Sequence, residues 1–265
     1  MKVGYLGPKG TFSYEACSKH FSDEDEKLPY KTIKETIKAL LNDDVEMCIV
    51  PIENSLQGCV VETIDTLIEF KNLHVVSEEI LEINQNLMAK EDYSFSEIKE
   101  VYSHPQALAQ CRKFINKYLS HAEIIEVSST ALSAKEVSSK TNCACIGNLD
   151  CLKEFDLKLI QKNIQDNSFN KTRFWVLTKK DDVDFSKSKM SMIFTTKHKP
   201  GCLYNVLKIF NDYKINLSKI ESRPAKTVLG EYYFLIDFDI TNGDIHSAID
   251  ELKNKVTYYR ILGSY

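Results

Sequence analysis

Thr172 and Arg173 stand side by side in the stretch Asn170-Lys171-Thr172-Arg173-Phe174, directly before the apolar run Phe174-Trp175-Val176-Leu177. Such a run reads as a buried strand. The hydroxyl and the guanidinium therefore sit at a strand entrance, held by the core behind them. The pair suits binding and polarising an oxygen-rich anion, because a guanidinium grips a carboxylate through two parallel N–H bonds and a rigid element keeps both groups in place. The plainer reading is a turn with a solvated arginine, and composition weighs against it. The chain has 34 Lys plus Arg, yet arginine occurs only at 112, 173, 223 and 260. Where lysine supplies nearly all the positive charge, arginine marks places that need a planar fork.

Other strand ends carry polar groups too. The buried run Met47-Cys48-Ile49-Val50 leads into Pro51-Ile52-Glu53-Asn54-Ser55-Leu56-Gln57-Gly58. Glu53, Asn54 and Ser55 thus crowd the C-terminal end of a strand, where open α/β sheets bind ligands. Glu53 fits a general acid or a hydrogen-bond acceptor; a simple turn is the alternative for the Asn-Ser pair. Val101-Tyr102-Ser103 reads as a further strand end, followed by a helix with Pro105 in its first turn. Gln106 and Gln110, four apart, share a face of that helix. Ser103 and His104 are neighbours that do not face each other, so they form no dyad, and His104 reads as local structure. Gly7-Pro8-Lys9-Gly10 is a turn from strand to helix with Thr11 or Ser13 as cap, and Ser129 and Thr130 cap another helix. Such starts leave backbone N–H groups free for an anion. The first is not a P-loop, since no Gly-Lys-Ser/Thr follows.

The elements that position these groups follow from periodicity. Strands are expected at Lys2–Leu6, over 30–32, from Met47, at 73–81 and on through 82–90, at Val101–Ser103, 123–127, 142–147 and 157–160. Helices fall between them, including 33–41 and about 60–70. The alternation up to about residue 178 predicts a mostly parallel α/β region. Residues 179–189 read as a charged linker. Beyond it the order is strand, helix, strand, strand, helix, strand, the ferredoxin-like βαββαβ unit.

At 265 residues the expectation is one large and one small domain. Net charge is −4 with no basic block, which argues against nucleic acid. The N-terminal residues hold no long apolar segment, so neither a signal peptide nor a membrane helix is expected. Eight scattered cysteines read as reduced cytoplasmic thiols, with Cys143 and Cys145 on one strand face, and the six histidines show no metal-ligand spacing.

Taken in order, Gly7-Pro8-Lys9-Gly10-Thr11-Phe12-Ser13, Val50-Pro51-Ile52-Glu53-Asn54-Ser55 with Gly58, Ser103-His104-Pro105-Gln106-Ala107 with Gln110, Ser129-Thr130-Ala131, Ile164-Gln165-Asp166, and Asn170 with Thr172-Arg173-Phe174 resemble the prephenate dehydratases. Pro200-Gly201-Cys202-Leu203 and Glu221-Ser222-Arg223-Pro224 resemble the two ligand-binding motifs of the ACT domain that family carries. The resemblance spans essentially the whole chain. It departs at Gln85, where the family often has histidine, and at Cys202, where the ACT motif usually has alanine. No chorismate mutase segment precedes Met1, so the stand-alone form is expected.

The resemblance implies a two-lobed, periplasmic-binding-protein-like catalytic domain over 1–180, with lobes 1–77 plus 167–180 and 78–166, and an ACT domain over 189–265. It implies loss of CO2 and hydroxide from prephenate to give phenylpyruvate, driven by aromatisation, with no cofactor and no metal. The implied catalytic residues are Thr172, Arg173, Glu53 and Asn54. Thr172 would polarise the leaving hydroxyl and Arg173 would hold a carboxylate. Glu53 is the rival acid, provided burial beside another anion raises its pKa. Implied substrate contacts are Thr11, Ser13, Ser55, Ser103, Gln106, Gln110, Ser129, Thr130, Asn170 and Phe174. Phenylalanine would bind as an allosteric effector at Gly201, Cys202, Leu203, Asn216, Leu217, Glu221, Ser222 and Arg223, in a cytoplasmic homodimer or tetramer. Arogenate dehydration and a non-catalytic small-molecule sensor are the alternatives.

Overall fold

The computed structural model describes residues 1–181, 183–226 and 230–265; Asp182, in the stretch read as a linker, lies outside them. The chain divides into two compact units, Met1–Gly58 with Glu79–Phe174, and Cys59–Glu78 with Trp175–Tyr265.

The first unit begins with β1 (Lys2–Leu6), α1 (Phe12–His20), β2 (Glu26–Tyr30), α2 (Ile33–Leu41), β3 (Met47–Asn54) and β4 (Gly58–Cys59). β1 pairs in parallel with β2 on one side and β3 on the other. Thr11 caps α1 by accepting from Tyr14 N, and Thr32 caps α2 by accepting from Glu35 N. That second cap explains a shift from expectation. The extended piece read at 30–32 is β2, which ends at Tyr30, because Thr32 is committed to the helix start. Pro29 is tolerated in β2 because that strand lies at the sheet edge, where a missing N–H costs no ladder bond.

α3 (Val61–Glu69) and β5 (His74–Glu82) come next. The chain then builds β6 (Asn86–Ala89), β7 (Glu100–Ser103), α4 (Pro105–Gln110), α5 (Arg112–Tyr118), β8 (Glu123–Glu126), α6 (Thr130–Val137), β9 (Cys143–Gly147), α7 (Asp150–Phe155) and β10 (Lys158–Gln161). Their sheet has the order β10-β6-β9-β7-β8. β7 is parallel to β8 and β9, but β6 is antiparallel to both β9 and β10. The expected mostly parallel arrangement therefore fails at β6. That strand follows β5 over residues 83–85, but β5 belongs to the other sheet. Alternation sorts the rest: Leu87, Val101, Ala144 and Ile146 face α4 and α5, while Met88, Tyr102, Cys143 and Cys145 face α6. The helix α5 has no counterpart in the periodicity reading. It starts after Cys111, and Lys113 N donates to the Asp166 carboxylate at 3.1 and 3.2 Å.

The chain returns through β11 (Lys171–Thr178) to the first sheet, whose order is β2-β1-β3-β11-β5. It continues as β12 (Lys189–Thr195), α8 (Cys202–Asp212), β13 (Leu217–Pro224), β14 (Tyr232–Asp239), α9 (Ile245–Lys253) and β15 (Tyr258–Ser264). This is the expected βαββαβ order, in an antiparallel sheet β13-β14-β12-β15. Its core joins Met190, Met192 and Phe194 of β12 to Phe210 of α8 and Leu252 of α9.

The second unit also contains α3 and the start of β5. Arg260 donates to Leu67 O at 2.6 Å and Phe70 O at 3.1 Å, satisfying carbonyls at the C-terminal end of α3. Burial lowers the pKa of this arginine from its ordinary value. Trp175 Nε1 donates to Tyr265 Oη at 3.0 Å. Gly263 passes so near β5 that a Cβ there would lie 1.9 Å from Val75 O, which requires glycine.

Candidate active site

β3 and β11 bring the polar strand ends together within the first unit. Asn54 turns the chain after β3, its Oδ1 accepting from Leu56 N at 3.0 Å and Gln57 N at 3.1 Å. Those bonds fix which end of the amide points back. Its Nδ2 donates to Asn170 Oδ1 at 2.8 Å and Thr172 Oγ1 at 2.9 Å. Ser55 completes the latch: its N–H donates to Lys171 O, its Oγ accepts from Lys171 N, and its Oγ donates to Phe169 O, each at 2.9 Å. Asn54 and Asn170 are 7% and 2% exposed, so this network is interior. Thr172 accepts one bond from Asn54, which leaves its proton to be donated elsewhere.

Arg173 Nη2 lies 3.1 Å from Glu53 Oε2, the two side chains being 11% and 36% exposed. The acid role for Glu53 required burial beside another anion. The structure sets the Arg173 guanidinium against Glu53, where the pair can hold Arg173 in place.

A cavity of about 260 Å³ lies beside this network, lined by Leu56, Gln57, Gln106, Gln110, Gln165, Asn170 and their neighbours. Gln106 and Gln110 reach it from α4, as their spacing requires. His104 caps α4, its Nδ1 accepting from Gln106 N at 3.2 Å, in line with a local structural role. Of the expected residues, Gln106, Gln110 and Asn170 line the cavity, whereas Glu53, Asn54, Ser55, Ser103, Thr172, Arg173 and Phe174 are not among its lining residues. Ser103 is fully buried and donates to Ile146 O at 2.7 Å, while Phe174 lies in the core and anchors β11.

Thr11, Ser13, Ser129 and Thr130 form a second group, outside the lining of that cavity. Thr11 Oγ1 donates to Pro8 O at 2.9 Å, and Ser129 caps α6 by accepting from Leu132 N at 3.0 Å. Ser13 is buried within α1. The starts of α1 and α6 adjoin, since a Cβ on Gly10 would lie 3.5 Å from that of Ala131. Lys9 pairs with Glu154 at 2.6 Å, Cys151 Sγ donates to Gly10 O at 3.2 Å, and Asn148 Nδ2 donates to Glu15 Oε2 at 3.2 Å. Burial, with the charge of Asp150, pushes the Glu15 carboxyl up to about 7.

In the βαββαβ unit Gly201 precedes α8 at φ +80, a left-handed conformation that favours glycine, and a Cβ there would meet nothing within 4 Å. The space beside it is open. Cys202 and Leu203 begin α8, and Leu203 lines a cavity of about 150 Å³ with His198 and Tyr232. Asn216 O accepts from Asp239 N, and Leu217 opens β13. β13 alternates, so Glu221 and Arg223 share the more buried face and Ser222 is on the other. Arg223 is engaged within the unit: its Nε lies 2.9 Å from Asp65 Oδ1, and Lys226 Nζ lies 2.8 Å from Asp65 Oδ2. Arg223, then Lys226, hold the Asp65 carboxyl below its ordinary range.

The residue reading missed four polar cavity-lining groups, Gln57, Asn167, Gln165 and Asp166. The last two lie in the Ile164-Gln165-Asp166 motif, whose presence was a signal without a role attached. That motif binds its loop in place through Ile164 N to Gln85 O at 2.8 Å and Asp166 N to Gln110 O at 2.7 Å.

The fold defines the class: a mixed α/β protein of three sheets, the last an ACT-like βαββαβ unit. A sequence profile described as "Prephenate dehydratase" matches residues 3–182. The Bacillus subtilis prephenate dehydratase is 36% identical over 280 residues, covering 100% of this chain and 98% of its own. The Staphylococcus aureus prephenate dehydratase structure is 34% identical, with a TM-score of 0.89 and 100% of both chains covered. The Arthrobacter aurescens prephenate dehydratase, solved in complex with L-Phe, is 29% identical with a TM-score of 0.90, covering 100% of this chain and 89% of its own. The chain belongs to the prephenate dehydratase family.

Proposed function

We infer that this chain catalyses the decarboxylative dehydration of prephenate to phenylpyruvate in L-phenylalanine biosynthesis. The observation that carries the reading is the Asn54–Thr172 hydrogen bond beside the Glu53–Arg173 pair, next to an amide-lined cavity. In the reaction the bond from the ring to its carboxylate breaks and the electron pair enters the ring. The ring C–O bond breaks, and the departing hydroxide takes a proton to leave as water. A donor aimed at that oxygen is the help the chain can give, and general-acid assistance is worth about 10²–10⁴ in rate. Thr172, accepting from Asn54, has its proton available for this. Arg173, steadied by Glu53, offers a cation for a substrate carboxylate. Purified protein incubated with prephenate should form phenylpyruvate, and incubated with arogenate should form little phenylalanine. No phenylpyruvate would sink the reading, and faster turnover of arogenate would reassign the substrate.

Phenylalanine acts as the feedback inhibitor in this reading, bound at the open start of α8. Support comes from the left-handed Gly201, whose helix start offers N–H groups to a carboxylate, and from the L-Phe complex of the Arthrobacter relative. The chain works as a homodimer or tetramer, since β13 is an edge strand with Ile220 exposed, and such edges pair readily. It works in the cytoplasm, where its eight free cysteines stay reduced. Calorimetry with phenylalanine and sedimentation of the full chain check the first two; no heat of binding, or a monomer, would refute them.

A further inference from the structure

Two amides of the cavity wall have their oxygens already used. Asn54 gives its N–H to Asn170 Oδ1 at 2.8 Å, and Gln85 Nε2 donates to Gln110 Oε1 at 3.0 Å. An amide whose oxygen accepts from a fixed donor can present only its NH2 at the other end. Gln110 lines the cavity with its oxygen engaged, so it has its NH2 to offer there, and the Asp166 carboxylate lines the same cavity. Asn170 Nδ2 is buried and has no hydrogen-bond partner among the described residues.

Gln85 lies behind this wall, 2% exposed and outside the cavity lining. Its backbone is pinned at both ends: Ile164 N donates to its O at 2.8 Å, and its own N donates to Gln165 Oε1 at 3.0 Å. Its Oε1, by contrast, is buried with no hydrogen-bond partner among the described residues. An orphaned buried acceptor costs stability. The side chain is thus poorly explained as a stabilising element and well explained as a donor to Gln110.

We propose that Gln85 is a positioning residue for the substrate: its Nε2 fixes the rotation of the Gln110 amide so that the Gln110 NH2 faces the cavity and donates to a carboxylate or keto oxygen. The inference rests on the prephenate reading of this cavity. Without Gln85 the terminal amide torsion of Gln110 has two near-equivalent settings, and one of them turns an oxygen toward an anion.

Gln85→Met keeps the length of the side chain and removes both the donor and the orphaned acceptor. The variant should fold with a Tm at or above wild type. KM for prephenate should rise about five- to tenfold, the size of one net hydrogen bond, with kcat within about twofold. Gln85→His retains an N–H donor and should stay within about twofold of wild-type KM. In a Gln110→Ala background, Gln85→Met should add nothing, because the residue acts through Gln110. The side-chain ¹⁵NH2 signal of Gln110, assigned by its loss in Gln110→Glu, should move in Gln85→Met whether or not turnover is measured. Three results would overturn the proposal: an unchanged KM, a full Gln85→Met effect in the Gln110→Ala background, or an unmoved Gln110 signal. Should Gln85→Met not fold, a tenfold KM rise in Gln85→His would overturn it too. A wild-type protein that fails to turn over prephenate sinks the functional reading instead, and the Gln110 signal then judges Gln85 alone.

Discussion

Asn54 Nδ2 lies 2.9 Å from Thr172 Oγ1 across 118 residues of sequence, and the Asn54 oxygen is held by the turn that follows β3. The backbone turn thus decides which end of the amide meets the hydroxyl, and the amide decides where the hydroxyl's proton can go. Thr172→Ala should keep the fold and KM and lower kcat by about 10²–10³. Asn54→Asp keeps the acceptor for Leu56 N and Gln57 N but turns an oxygen toward Thr172, which would then donate inward. Its kcat should fall by a similar factor, and the melting temperature should fall too, because a carboxylate then faces Asn170 Oδ1 and Lys171 O in the interior. Steady-state kinetics on both variants decide this; wild-type kcat in either removes the proton-donor role.

The Glu53–Arg173 pair sets a second expectation. Arg173→Lys keeps the charge but loses the planar fork that can engage Glu53 and a substrate carboxylate together. KM should rise at least tenfold, more than kcat falls. Equal kinetics for the lysine variant would show that a point charge suffices.

Glu15 makes stability depend on pH. Its folded pKa of about 7 lies above the ordinary 4.5, so between those values the folded state holds more protons than the unfolded one. Stability from this group is therefore full below about pH 4.5 and is lost as pH rises toward 7 and beyond. Glu15→Gln should raise stability at pH 8 by about 1–2 kcal/mol, a figure reduced for the partial exposure of the group, and change little at pH 4.5. Urea melts at the two pH values read the difference, and a larger gain at the acid value would refute it.

Regulation needs a test that leaves the second unit intact. Cutting after Lys179 would take Arg260 from the end of α3, Arg223 from Asp65 and Tyr265 from Trp175. The shortened chain should melt well below the full one, so its response to phenylalanine would mix two effects. Arg223→Ala in the full chain frees Asp65 and should weaken phenylalanine inhibition several-fold, within the 1–3 kcal/mol or so of a typical allosteric coupling. An unchanged inhibition curve would exclude a role for this ion pair.

Much of this protein is local in origin. A continuous apolar run defines β9, Thr11, Thr32 and Ser129 cap helices, and the βαββαβ order is written in periodicity, because each depends on neighbours within a few residues. Motif order sufficed to suggest the family, and Thr172, Arg173, Glu53 and Asn54 could be singled out by type. Their partners could not be. That Glu53 meets a cation, that Arg223 spends its fork on Asp65, and that Ser103 turns inward to Ile146 O depend on which strands lie side by side. That β6 runs antiparallel to β9 and β10 is likewise not written in its own residues. The orientation of Gln110 rests on Gln85, 25 residues away in sequence, with no spacing rule linking them. Propensity and capping act over one or two turns of chain, whereas the charge and hydrogen-bonding state of a site is set by groups that only folding brings within about 3 Å.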